Sequence, residues 1–167
     1  FDLREGLVQR IRREAQQARD GHPARIIAKI NGLEDPTLIN ELYAASQAGV
    51  QIDLIVRGLC CLRPGVPGVS DRIRVVSIID RYLEHARIYF FHNAGTAEYW
   101  LASADWMPRN LDNRVEVAFP ILDGALQAQI RAILDIQLAD NQKAHLLLSD
   151  GRSERLTPDG SAAIRSQ

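Results

Sequence analysis

The chain has 167 residues, 46% hydrophobic and 25% charged, with a net charge of −1. This is enough for one domain with a sizeable core, and the near-neutral balance excludes bulk electrostatic capture of nucleic acid or an anionic membrane while leaving room for a local basic pocket. No apolar run approaches a membrane span and no signal-peptide pattern is visible, so no transmembrane segment is expected.

Leu3, Leu7, Val8, Ile11, Ala15 and Ala18 recur at helical spacing, and "DGHPARI" ends that segment at Gly21 and Pro23. The opening on Phe1, directly in a helical pattern, suggests a piece of a longer polypeptide. "RIIAKI" reads as a short buried strand. In "DPTLINELYAASQAG", Asp35 suits a helix cap, Pro36 the first turn and Gly49 the C-terminal stop. "VQIDLIVRG" is the next strand, and strand–helix–strand with short links predicts a parallel βαβ unit.

"LRPGVPGV" reads as a surface loop and "IRVVSII" as a strand. "ARIYFF" and "AEYWLAS" form a hairpin across "HNAGT". "NRVEVAFPIL" is expected to be a further strand, and Leu122, Leu126, Ile130, Ile133, Leu134 and Leu138 line one face of a long helix. Residues 1–148 are thus expected to form a single α/β domain, a mixed β-sheet flanked by helices. Residues 149–167, polar and rich in Ser and Gly, are expected to be a poorly ordered tail. Cys60 and Cys61 are adjacent, cannot easily close a normal disulfide and have no partners for a zinc site. They read as reduced thiols of a cytosolic protein.

The chemistry concentrates in three places. Arg57 ends a predicted parallel strand just before Gly58, where ligands of open α/β sheets gather, and a guanidinium fork suits phosphate oxygens. A solvated arginine at a strand end is the plain alternative. His85 stands at the entrance of "ARIYFF" with Arg87 two residues on, so the two side chains share one strand face. An imidazole there can attack phosphorus or donate a proton to a phosphate oxygen, or it can be a half-buried histidine satisfied by its neighbours. The third place is "LASADWMPRNLDNRVEVAFP", which gathers Ser103, Asp105, Arg109, Asn110, Arg114 and Glu116. Glu116 lies inside an apolar run and needs a partner if its face is buried, for which an imidazole is a natural choice.

His85-Ala-Arg87 followed by "ASADW" resembles the phospholipase D superfamily signature, HxK then GSxN. Arg87 replaces the Lys, Ala102 the Gly and Asp105 the Asn, while His92 stands where that superfamily has an Asp. The words "LEDPTLINELYAASQAGVQIDLIVRGLCCLRPG", "RYLEHARIYFFHNAG" and "SADWMPRNLDNRVEVAFPI" are more similar to the long-chain, ATP-dependent bacterial polyphosphate kinases, over nearly everything from Lys29 to Lys143. By this resemblance the chain is identified as a C-terminal catalytic domain of that family, with a phospholipase D-like fold.

The resemblance implies reversible transfer of the terminal phosphate of ATP to polyphosphate, with Mg²⁺ whose ligands are not identifiable in this chain. It implies a catalytic role for His85 and phosphate binding by Arg57 and Arg114, with Arg87, Ser103 and Asp105 as weaker phosphate-site candidates. Glu116 falls where family members carry a carboxylate supporting the active-site histidine. The family's phosphorylated, nucleophilic histidine lies in the preceding domain, so this chain would supply half of an active site and be nearly inactive alone. The implied partners are ATP/ADP, polyphosphate, the preceding domains and other copies in a homo-oligomer, with no nucleic acid. The implied location is the cytoplasm, with peripheral membrane association of the full-length enzyme as a variant. The competing expectation is a phospholipase D-like phosphodiesterase or nuclease that dimerises to assemble two HxK copies.

Overall fold

The computed structural model describes residues 2–167. The first helix, α1 (Leu3–Arg19), is capped by the Asp2 carboxylate, which accepts from the backbone N–H groups of Arg4 and Glu5. The expected βαβ unit follows as β1 (Arg25–Ile30), α2 (Pro36–Ala48) and β2 (Gln51–Val56). Asp35 caps α2 through the Leu38 N–H, and Gly49 closes it in the left-handed region at φ 107°, a conformation a side chain would strain. β1 and β2 are parallel, with Ile26 opposite Ile52. β3 (Ile73–Ile78) adds to β2, also parallel, after the Pro/Gly-rich loop.

β4 (Arg87–Phe91) and β5 (Glu98–Ala102) form the expected antiparallel hairpin, and β4 lies antiparallel to β1. A short helix, α3 (Pro108–Leu111), precedes β6 (Ala118–Pro120); then come α4 (Gly124–Ala139), β7 (Ala144–Leu147) and β8 (Ser153–Arg155). All eight strands join one sheet in the order β6-β5-β4-β1-β2-β3-β7-β8.

Alternation along the central strands feeds two cores. Ile26, Ala28, Ile30, Ile52, Leu54, Val56, Tyr89 and Phe91 pack with Leu7, Ile11, Leu38 and Leu42 of α1 and α2. Ile27, Ile55, Val76, Ile78, Ile88 and Phe90 pack on Ile130, Leu134 and Leu138 of α4. The strands are apolar on both faces because both are covered, which is why they read as continuous apolar runs. Among the described residues no helix is long and apolar enough to cross a membrane.

Two sequence expectations need correction. The strand expected over 113–122 shrinks to Ala118–Pro120, and Val115 and Val117 before it are exposed rather than buried in the sheet. The segment 149–167 is not a loose tail. Its first part pairs as β8 with β7, and Ile164, Ser166 and Gln167 hydrogen-bond to Asn141, Asp140 and Glu84. Its polar side chains find partners supplied by the fold, which composition cannot reveal.

Candidate active site

Topology brings the candidate residues to one edge of the sheet. β1 and β2 end there with Asn31 and Arg57 beyond their carboxyl ends. Because β4 runs antiparallel to β1, with Lys29 opposite Ile88, the start of β4 returns His85 and Arg87 to the same edge. β5 reverses again, pairing Ala102 with Arg87, so Ser103 and Asp105 emerge there too. The strands' ends come close: the Gly58 N–H donates to the Asn31 carbonyl at 2.9 Å, and a Cβ on Gly58 would sit 2.8 Å from that oxygen. Glycine is required there for the close approach.

At this edge is a cleft lined by Asn31, Arg57, His85, Arg87, Asp105, Met107, Arg109 and Arg114, among others. Arg87 donates to both carboxylate oxygens of Asp105, from Nε at 3.1 Å and Nη2 at 2.9 Å. Asp105 also accepts from the backbone N–H of Asn31 at 2.7 Å and from its side-chain amide at 3.2 Å. Burial alone would raise the Asp105 pKa, but the Arg87 fork and the Asn31 donors outweigh it and hold the carboxyl below its ordinary range.

Arg87 Nη1 meets His85 Nδ1 at 3.2 Å and also donates to the His85 carbonyl at 3.2 Å. A guanidinium has no acceptor, so His85 Nδ1 accepts and the ring proton belongs on Nε2. An imidazole held in that tautomer presents Nε2–H to an oxyanion. Arg57, Arg109 and Arg114 form no ion pair with any carboxylate among the described residues. Three uncommitted guanidinium groups around one imidazole can neutralise and orient several anionic oxygens.

The cleft therefore unites Arg57, His85, Arg87, Asp105 and Arg114 of the expected residues. Ser103 and Glu116 stand apart. Glu116 was expected to meet an imidazole; instead it accepts from the Ser103 hydroxyl and from Asn110 Nδ2, the latter at 2.7 Å. Against a burial effect that would raise it, those hydrogen bonds and the fields of Arg114 and Arg87 lower its pKa. The imidazole's polar neighbour is Arg87, because the short β6 leaves Glu116 before the strand, beside the residues that follow β5. Arg109, noted among the polar residues after the hairpin but given no role, joins the site, and Asn31 completes it without having been singled out; its strand-end position was the available signal. Cys60 is half-buried and burial pushes its thiol up to about 11, so it is protonated and a poor nucleophile at neutral pH.

The match to known proteins is direct. A family model described as "Polyphosphate kinase C-terminal domain 2" covers residues 1–167. The chain belongs to this family. It is 56% identical over 163 residues to a polyphosphate kinase of Thermosynechococcus vestitus, covering 98% of this chain and 22% of that protein. It is 54% identical over 166 residues to a polyphosphate kinase of Pseudomonas aeruginosa, covering 99% and 24%. The chain thus spans about a quarter of the length of these relatives.

The crystal structure of polyphosphate kinase from Porphyromonas gingivalis superposes over all of the chain and 26% of its own length, at TM-score 0.96 and 45% identity. The phospholipase D family member Nuc from Salmonella typhimurium is 13% identical at TM-score 0.55, over 84% of this chain and 88% of its own, a likeness of fold alone. The family domain accordingly has a phospholipase D-like fold.

Proposed function

We propose that this chain supplies half of the active site of an enzyme that reversibly transfers the terminal phosphate of ATP to polyphosphate. The observation that carries the reading is the convergence of Arg57, Arg109 and Arg114, none of them ion-paired among the described residues, on the cleft that holds His85. Dense negative charge is shared by a nucleotide triphosphate tail and a polyphosphate chain, and arginines aimed at the transferring group stabilise it. The phosphorus-attacking histidine would come from the preceding part of the longer polypeptide and become the phosphorylated residue. Its nitrogen would form the P–N bond as the bond from the γ-phosphorus to the bridging oxygen breaks, leaving that electron pair on ADP. His85 Nε2–H would hydrogen-bond to phosphate oxygens during the transfer, while Asp105 and Arg87 hold the ring.

The cleft's residues do not fit a protein-held Mg²⁺. Both oxygens of Asp105 are taken by Arg87 and one is also taken by Asn31, and no group of three or more His, Cys, Asp or Glu suited to a metal occurs among the described residues. Mg²⁺ is proposed to travel with the nucleotide's phosphates and waters. A cytoplasmic homo-oligomer remains the expected context.

The test is calorimetry of this chain with a polyphosphate of defined length, then with ATP and Mg²⁺, alongside an ADP-forming assay. Binding weakened about tenfold by Arg57→Ala or Arg114→Ala, with no turnover until the preceding domains are restored, is the expected result. Hydrolysis of a bis(aryl)phosphodiester by a dimer of this chain, lost in His85→Ala, would replace this reading with a phosphodiesterase.

A further inference from the structure

His85 lies on residues 79–86, which belong to no helix or strand. A loop places an imidazole only as well as its backbone is held. Packing contributes little here, since Ile79, Tyr82 and Leu83 are 66%, 71% and 71% exposed. Polar anchors hold it instead. Buried Lys29 of β1 reaches the carbonyls of Glu84 and Ala86, on either side of His85, at 3.4 and 3.3 Å, and pairs with Glu84 Oε2 at 3.3 Å. Gln137 of α4 donates to the same carboxylate oxygen at 2.9 Å.

The remaining anchors come from the far end of the chain. Arg165 forks onto both oxygens of Asp80 at 2.6 and 2.7 Å. The Gln167 side chain accepts from the Tyr82 N–H at 2.9 Å and donates to the Tyr82 carbonyl at 3.1 Å and to Glu84 Oε1 at 2.8 Å. This strap is itself fastened. The Ile164 N–H donates to Asn141 Oδ1, and the Ser166 N–H and hydroxyl both donate to Asp140 Oδ2. The other oxygen of Asp140 accepts from the N–H groups of Gln142, Lys143 and Ala144, which lead from α4 into β7.

We propose that Arg165 and Gln167 are positioning residues for His85, acting by fixing residues 80–84. The inference rests on the phosphoryl-transfer reading of His85. It assigns a task to a segment whose composition reads as a disordered tail. Neither residue lines the cleft, so their loss should disturb the transfer step and leave nucleotide binding by the arginines largely intact.

The test uses the full-length polypeptide, with Arg165→Met and Gln167→Leu singly and together, and His85→Ala as reference. The double variant is expected to lose about tenfold or more in kcat, with KM for ATP within about twofold of wild type. Amide hydrogen exchange should quicken across 79–86 while the amides of β1 and β2 keep their protection. Asp80→Arg combined with Arg165→Asp reverses the ion pair and should recover kcat to within about threefold, separating a positioning effect from general damage. An inactive His85→Ala beside a double variant of wild-type kcat overturns the proposal, as does unchanged exchange across 79–86. Turnover retained by His85→Ala would instead defeat the phosphoryl-transfer reading, and the exchange result would then decide whether the strap holds the loop.

Discussion

The guanidinium of Arg87 is shared between Asp105 and His85: two nitrogens grip the carboxylate at 3.1 and 2.9 Å, and the third meets the imidazole at 3.2 Å. One planar group thus links the loop after β5 to the loop before β4. The lysine that the phospholipase D signature carries at this position has no planar fork and cannot grip the carboxylate with two parallel hydrogen bonds.

Replacing Arg87 by Lys should therefore reveal the difference. The Asp105 side chain is 7% exposed and would lose one of its two charge-assisted bonds. The free energy of unfolding should drop by about 2–3 kcal/mol, read as a lower denaturant midpoint at unchanged m. A change below about 0.5 kcal/mol would mean that Arg87 merely flanks the site.

Glu116 should be energetically coupled to Ser103 and uncoupled from His85. In double-mutant cycles of stability, Glu116→Ala with Ser103→Ala should show a coupling of about 0.5–1.5 kcal/mol. Glu116→Ala with His85→Ala should be additive within about 0.5 kcal/mol. The reverse pattern would restore Glu116 as the histidine's orienter.

Gly58→Ala tests the close approach of β1 and β2. The new Cβ would lie 2.8 Å from the Asn31 carbonyl oxygen, which is backbone and cannot swing aside. Forcing the strand ends apart should cost about 1–3 kcal/mol and shift Arg57 with them. Calorimetry should show weaker binding of tripolyphosphate, with the loss at Gly58→Ala depending on the presence of Arg57.

Asp140 makes the stability pH-dependent at the acid end. Burial would raise its pKa, yet hydrogen bonds from Lys143, Ser166 and Gln142 bring it down to about 2. The unfolded chain therefore binds more protons between about pH 4 and pH 2, so this contribution is complete above about pH 4 and is lost as the pH falls through about 2. It amounts to about 2 kcal/mol. Asp140→Asn should lower stability at pH 7 and flatten the acid limb, measured as denaturant midpoints from pH 7 to pH 2.

Local signals were enough for much of the framework. Asp35, Pro36 and Gly49 mark the limits of α2, and the apolar runs on either side announce β1 and β2 and their parallel pairing. The hairpin of β4 and β5 and the position of Arg57 at a strand's end were equally legible. Caps, turns and period act over a few residues, so sequence alone determines them. The motifs around His85, Asp105 and Arg114 also marked the residues that meet in the cleft.

Partner choice was decided only by the tertiary structure. In sequence, Glu116 had an imidazole as its natural partner. The antiparallel return of β5 and the shortness of β6 put Ser103 and Asn110 beside it and left His85 to Arg87. Likewise nothing local tells Arg165 from a solvated charge, and it becomes an anchor because the chain comes back past Asp80 from 85 residues away. A charged side chain can pair with any opposite charge that comes within a few ångströms, and it is the path of the backbone that selects which one does.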